Sequence, residues 1–203
     1  MERKLFEASV SGCVNTLNAL IREDELILDR VLVTSCFHET PLHIAALRGH
    51  LDFSRALLSL KPKLATELDS QGHSPLHLAS VEGYVEIVQE LLQVSPHMCH
   101  VRNQDGRTPL HLAVMKGRAE VIKELIQARP KSIWETIGYG ETILHLSIHY
   151  NRLEALKLLV EWARDDDKFV NSKDDYGNTI LHNAAILKQE EVRRWLTNFK
   201  RKC

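Results

Sequence analysis

One six-residue phrase returns along the chain at a nearly constant interval. Thr40-Pro41-Leu42-His43-Ile44-Ala45 comes back as Ser74-Pro75-Leu76-His77-Leu78-Ala79 and again as Thr108-Pro109-Leu110-His111-Leu112-Ala113. Shorter copies follow at Thr142-Ile143-Leu144-His145 and Thr179-Ile180-Leu181-His182, so the steps between positions 40, 74, 108, 142 and 179 are 34, 34, 34 and 37 residues. Self-similarity at such a period marks a chain built by stacking one small unit, each copy touching only its neighbours.

The chemistry of one copy explains its wording. Thr or Ser caps a helix through its side-chain oxygen, and Pro at the first helical position gives up only an amide that had no helical partner. Nine residues after each cap stands Gly49, Gly83 or Gly117, and Asn151 in the fifth copy, residues suited to the left-handed conformation that ends a helix. Lys188 departs from this in the sixth. The first helix is thus about eight residues, too short to persist alone. A second helix follows, with apolar residues at helical spacing: Leu51, Phe53, Leu57 and Leu58, then Val85, Ile87, Val88, Leu91 and Leu92, then Val121, Ile122, Leu125 and Ile126. Each helix pair leaves an apolar face that only a neighbouring pair covers. Between pairs, Asp69-Ser70-Gln71-Gly72 and Asn103-Gln104-Asp105-Gly106 have the Asx and Gly residues of a tight turn.

The Thr-Pro-Leu-His-x-Ala wording and its period resemble the ankyrin repeat family, and the resemblance covers nearly the whole chain. It implies an all-α ankyrin repeat solenoid of about six helix-turn-helix units, with the short turns projecting as fingers. The frame predicts one domain over 1–203, with units at approximately 1–35, 36–69, 70–103, 104–137, 138–174 and 175–203. The ends differ from the middle. Leu5, Ala8 and Gly12 keep the frame without the phrase, a degenerate first cap carrying Lys and Glu outward. In the sixth unit Glu190, Arg193, Arg194 and Thr197 replace largely apolar positions, leaving Val192, Trp195 and Leu196 as anchors; this helix is either a polar cap or the point where a longer parent was cut. Ile143 and Ile180 in place of Pro also remove a pre-organised helix start from the last two units.

Net charge and cysteines narrow the class. A net charge of -1 with both signs interleaved lacks the footprint of a nucleic-acid or membrane-surface binder. No stretch approaches the roughly 18 apolar residues of a membrane span, and no apolar leader opens the chain. Cys13, Cys36, Cys99 and Cys203 are widely spaced without a Cys-x-x-Cys pair, which argues for reduced thiols in the cytoplasm, the first three as small apolar fillers.

The pattern assigns no residue to catalysis, cofactor or metal. Five of the eleven histidines, 43, 77, 111, 145 and 182, recur with the period, but one per unit with no further ligand at metal spacing. The resemblance instead makes each a buried hydrogen-bonding brace of its turn. His97-Met98-Cys99-His100 is read as a plain inter-repeat connection, Gly138-Tyr139-Gly140 as the turn of the fifth finger, and Asp165-Asp166-Asp167 with Lys168 as a solvated loop. The chain is not expected to be an enzyme; a metal-dependent enzyme is the remote alternative.

The resemblance places a protein partner on the concave surface of finger tips and first helices. Finger-tip positions are Phe37, Gln71, Asp105, Tyr139 and Tyr176, followed two places on by Glu39, His73, Arg107, Glu141 and Asn178. Exposed pairs on the first helices are Leu47-Arg48, Val81-Glu82, Met115-Lys116, His149-Tyr150 and Ile186-Leu187. Aromatic residues and Arg usually dominate binding energy. The expected partner-binding residues are therefore Phe37, Arg48, Arg107, Met115, Lys116, Tyr139, His149, Tyr150 and Tyr176, with the stronger contacts in the carboxy-terminal half. Ser74-Pro75-Leu76-His77-Leu78-Ala79-Ser80, Asp105-Gly106-Arg107-Thr108-Pro109-Leu110-His111, Gly140-Glu141-Thr142-Ile143-Leu144-His145 and Asp175-Tyr176-Gly177-Asn178-Thr179-Ile180-Leu181-His182-Asn183-Ala184-Ala185 are similar to plant ankyrin proteins of the Pro-Gly-Gly domain family. There the array precedes a membrane domain, and members act in immune and stress signalling. That domain is missing from this sequence, which ends at Lys200-Arg201-Lys202-Cys203, so a truncated or short form is expected. The first expectation is a cytoplasmic, monomeric interaction module or adaptor in plant defence; the second is the cytoplasmic sensor part of a membrane-associated protein, peripheral at the plasma membrane.

Overall fold

A computed structural model describes residues 1–34, 39–164 and 166–200. The chain divides into two compact units, Met1–Pro109 and the part from Leu110 onward. The first holds α1 (Glu2–Ser11), α2 (Val14–Glu23), α3 (Ile27–Thr34), α4 (Pro41–Arg48), α5 (Leu51–Leu60), α6 (Pro75–Glu82) and α7 (Val85–Val94). Here α1 stacks on α4 and α4 on α6, while α2 stacks on α5 and α5 on α7. After α8 (Pro109–Lys116), the second unit holds α9 (Ala119–Ala128), α10 (Ile143–His149), α11 (Leu153–Trp162), α12 (Asp167–Val170), α13 (Ile180–Ile186) and α14 (Glu190–Lys200), with α10 against α13 and α9 against α11. Among the described residues there is no strand, and the fold is the all-α repeat solenoid that the period predicts.

Caps and stops act where the phrase puts them. Thr40 and Ser74 accept the amides of His43 and His77 at 3.4 Å. Gly49 ends α4 at φ 80°, and a Cβ there would lie 2.6 Å from the Tyr84 ring of the next repeat, so both backbone and space require glycine. Asn151 and Lys188 take the same left-handed conformation at φ 52° and 55°, Lys188 at the greater cost. The leucine after the Pro or Ile is buried at Leu42, Leu76, Leu110 and Leu144 and half-buried at Leu181.

The structure adds helical turns between repeats that the reading as plain connections lacked. Pro62–Thr66, Pro96–His100 and Pro130–Trp134 are 3-10 turns, and positions 62, 96 and 130 themselves keep the 34-residue step. Their inner residues plug the base of the repeat: Leu64 and Ala65, Met98 and Cys99, Ser132 and Ile133. The acidic insertion is also not a plain loop. Asp166 caps α12 by accepting the Phe169 amide, and α12 buries Phe169 against Trp134 with ring centres 4.9 Å apart. Cys99 is buried as a filler, whereas Cys13 is half-buried at the start of α2 and accepts a hydrogen bond from Thr16 Oγ1 at 3.1 Å. Cys36 and Cys203 lie outside the described residues.

The terminal repeat is asymmetric. Val192 and Leu196 of α14 are buried, but Trp195 is only half-buried and stacks on Phe199 rather than anchoring the core. Arg193 occupies the place held by Ser54, Val88, Ile122 and Leu156, and Thr197 that of Leu58, Leu92, Ile126 and Val160. Both are exposed, so the outward face of α14 is polar. With one apolar face missing, α13 and α14 are expected to exchange amide hydrogens at least about tenfold faster than α6 and α7. Hydrogen-exchange mass spectrometry showing the fastest exchange in α1 and α2, with α10 to α14 well protected, would contradict this.

Candidate protein-binding surface

The third, fourth and sixth fingers are short turns, each braced by the side chain of its first residue. Asp69 Oδ1 accepts the amides of Gln71 and His73 at 2.8 and 2.7 Å, Asn103 Oδ1 that of Arg107 at 2.8 Å, and Asp174 Oδ1 those of Tyr176 and Asn178 at 3.0 and 2.8 Å. Burial alone would raise the Asp174 pKa, but these hydrogen bonds, with a side-chain bond from Asn178, hold it below its ordinary value. The fifth finger has Ile137 where the third, fourth and sixth have Asp69, Asn103 and Asp174. It closes instead by an antiparallel bridge, with reciprocal amide-to-carbonyl bonds between Ile137 and Glu141 at 2.9 and 3.0 Å. Adjacent tips are linked within each unit: Gln104 donates its amide to the Gln71 carbonyl at 3.0 Å, and Asp175 donates to the Tyr139 carbonyl at 2.9 Å.

The periodic histidines tie helix to finger. His43 Nδ1 accepts the amide of Thr40, which leaves the proton on Nε2, and Nε2 donates to the His73 carbonyl of the following finger at 3.0 Å. His77 and His145 repeat this toward the carbonyls of Arg107 and Asn178, at 3.2 and 3.1 Å. His111 donates to the Glu135 carbonyl instead. Burial pushes the pKa of His43 and His145 down, and that of His77 to about 4, only partly offset by these carbonyls. Neutral, fully committed rings are braces. His182 corrects the pattern: its ring is exposed and bonded to Thr179 through Nδ1 alone among the described residues, none of the described fingers lying over it. Among the described residues no three of His, Cys, Asp and Glu gather as a metal site.

A second set of junction residues escaped the sequence reading. His50 Nε2 donates to the Val10 carbonyl at 2.9 Å, Arg152 Nε to Met115 at 2.9 Å and Gln189 Nε2 to Ile148 at 2.7 Å. Each satisfies a carbonyl at the end of the preceding repeat's first helix. The signal was the polar residue after each helix stop, at positions 50, 152 and 189.

These braces sort the expected binding residues. In the first unit Arg48 is exposed, while Arg107 is half-buried and turned onto Asp105 of its own finger at 3.1 Å. In the second, Lys116 is exposed but Met115 is only 8% exposed, a correction: Arg152 reaches back over Gly117 to the Met115 carbonyl, and the repeat carrying it covers the site. Tyr139 and Tyr176 are 64% and 70% exposed and bring their rings to 5.5 Å, tilted by 49°. Tyr150 is 41% exposed, beside His149, whose Nδ1 meets Glu141 Oε1 at 2.9 Å. Tyr139 and Tyr176 thus form a ring pair at the fingers of the second unit, and Tyr150 is exposed at a first-helix end of the same unit. Phe37 lies outside the described residues.

A family model described as Ankyrin repeats (3 copies) matches residues 5–100, 93–168 and 134–202. The ankyrin repeat-containing protein BDA1 of Arabidopsis thaliana is 40% identical over 74 residues, 36% of this chain and 17% of that protein. The aligned stretch is therefore far below two thirds of the relative's length. Among the described residues no helix is long and apolar enough to cross a membrane.

Proposed function

This chain belongs to the ankyrin repeat family, a family of protein-interaction modules, and from that premise we propose that it is a non-catalytic adaptor binding a protein partner through its finger tips and first-helix ends. One observation carries the reading. Nearly every polar residue of the repeat frame is consumed by capping or bracing, while Tyr139, Tyr150 and Tyr176 stay exposed on neighbouring elements of the second unit with no bracing task. Exposed aromatic rings on a rigid support are what binding surfaces concentrate. A role in plant defence or stress signalling is supported by the Pro-Gly-Gly-like phrasing of the repeats and by the similarity to an Arabidopsis ankyrin protein. Arg48 in the first unit and Lys116 in the second are secondary contacts in this proposal, each within its own unit.

The test is to change Tyr139, Tyr150 and Tyr176 together to Ala and compare capture from plant tissue with the unchanged chain. Loss of about 2 kcal/mol or more, roughly a thirtyfold weaker Kd, is expected for the captured partner, with helix content unchanged. Undiminished capture by a folded variant would end the proposal.

A further inference from the structure

Beside the two finger-tip rings sits a carboxylate that the bracing scheme does not use. Asp175 donates its backbone amide to the Tyr139 carbonyl, and its side chain lies against Gly140, where a Cβ would collide with Oδ1. Its carboxylate is thereby held between the two tips, next to Tyr139 in one finger and joined to Tyr176 in the other. Asp175 is exposed, and among the described residues it forms no ion pair. The local balance is acidic: Glu141 faces His149, Asp174 is taken up by finger amides, and Lys173 is the single basic residue of the sixth finger.

We propose that this patch receives an arginine side chain of the protein partner; the inference rests on the binding surface proposed above and names its chemistry. A guanidinium stacks its plane on a tyrosine face, where the ring's quadrupole attracts it, while its edge N–H groups reach a carboxylate. Two touching, tilted rings form a platform rather than a cage, which suits a flat cation better than a compact ammonium. A purely apolar segment would strip water from Asp175 and leave it unpaired, and an acidic segment would meet Asp175 and Glu141 directly.

The full chain, isotope-labelled, is titrated with the blocked pentapeptide acetyl-Gly-Gly-Arg-Gly-Gly-amide and with its lysine and citrulline counterparts, following ring signals of Tyr139 and Tyr176 and amide signals of Gly140 and Asp175 by NMR. Saturable shifts confined to these residues are expected with arginine, with affinity at least about fivefold weaker for citrulline and weaker for lysine. Asp175→Asn keeps the backbone amide that links the tips and is expected to weaken arginine binding about fivefold; Tyr176→Ser does the same, whereas Tyr176→Phe retains it. Citrulline or lysine binding as well as arginine, or no saturable shift at the tips, overturns the proposal. If the arginine peptide fails while the triple tyrosine variant still loses its captured partner, the chemistry is wrong and the surface stands; if both fail, both fall.

Discussion

Replacing His77 with Ala is expected to lower the unfolding free energy by about 3 kcal/mol, while His182→Ala is expected to cost less than about 1 kcal/mol. Both residues occupy the same place in the repeat phrase, so propensity and position in the helix are matched. His77 is fully buried, accepts the Ser74 amide at Nδ1 and donates from Nε2 to Arg107 in the next finger. Alanine leaves the buried Ser74 amide without a partner, removes one of the two bonds to the Arg107 carbonyl, which keeps that from the Asn103 amide, and opens a void between two repeats. Each unsatisfied buried group costs about 1–3 kcal/mol, and a cavity adds to that. His182 has an exposed ring, and the polar groups around it reach water, so its loss removes little beyond a local cap contact. Urea titration followed by circular dichroism measures both. Similar losses for the two variants would mean that the ring acts within its own turn and not as a link between repeats.

The contrast shows where sequence stops informing structure. The phrase encodes local events, a cap, a pre-set φ where Pro stands and a stop, and these depend on residues within one turn. Asn151 and Lys188 adopt the left-handed stop despite their side chains. Burial is different, because it depends on what the next repeat places overhead. Met115 is covered by Arg152 from 37 residues later, whereas none of the described fingers covers His182. Trp195 lost its expected place in the core because α14 turns Val192 and Leu196 inward and leaves the ring to stack on Phe199. The acidic insertion read as solvated because three adjacent carboxylates dominate it, yet Phe169 and Val170 just beyond supply the buried anchors that fold it into α12. At the candidate surface the frame pointed to Tyr139, Tyr150 and Tyr176. The meeting of two rings and the seat of Asp175 were not legible, since both follow from the tip-to-tip register of backbone bonds.

Acid is expected to destabilise the protein well before its carboxylates as a class titrate. Burial holds His43, His77 and His145 neutral in the folded chain, with His77 at about 4 against an ordinary 6.5. Below pH 6.5 the unfolded chain takes up protons that the folded repeats refuse, so the unfolded state binds more protons and stability falls as pH falls. Each such imidazole lowers stability by about 1.4 kcal/mol per pH unit between its unfolded and folded values. For His77 the loss is complete only below about pH 4 and amounts to roughly 3 kcal/mol. Asp174, whose folded pKa is depressed, adds its own loss in the more acidic range below its ordinary 3.8. Urea midpoints should therefore decline steadily from pH 7 to 4.5. The His77→Ala variant, already weaker at pH 7, should show a slope shallower by about one proton's worth, so the two curves converge as pH drops. Parallel curves would show that His77 takes up its proton as readily in the folded chain as in the unfolded one, and a neutral Nδ1 accepting the Ser74 amide could not then be what holds the ring.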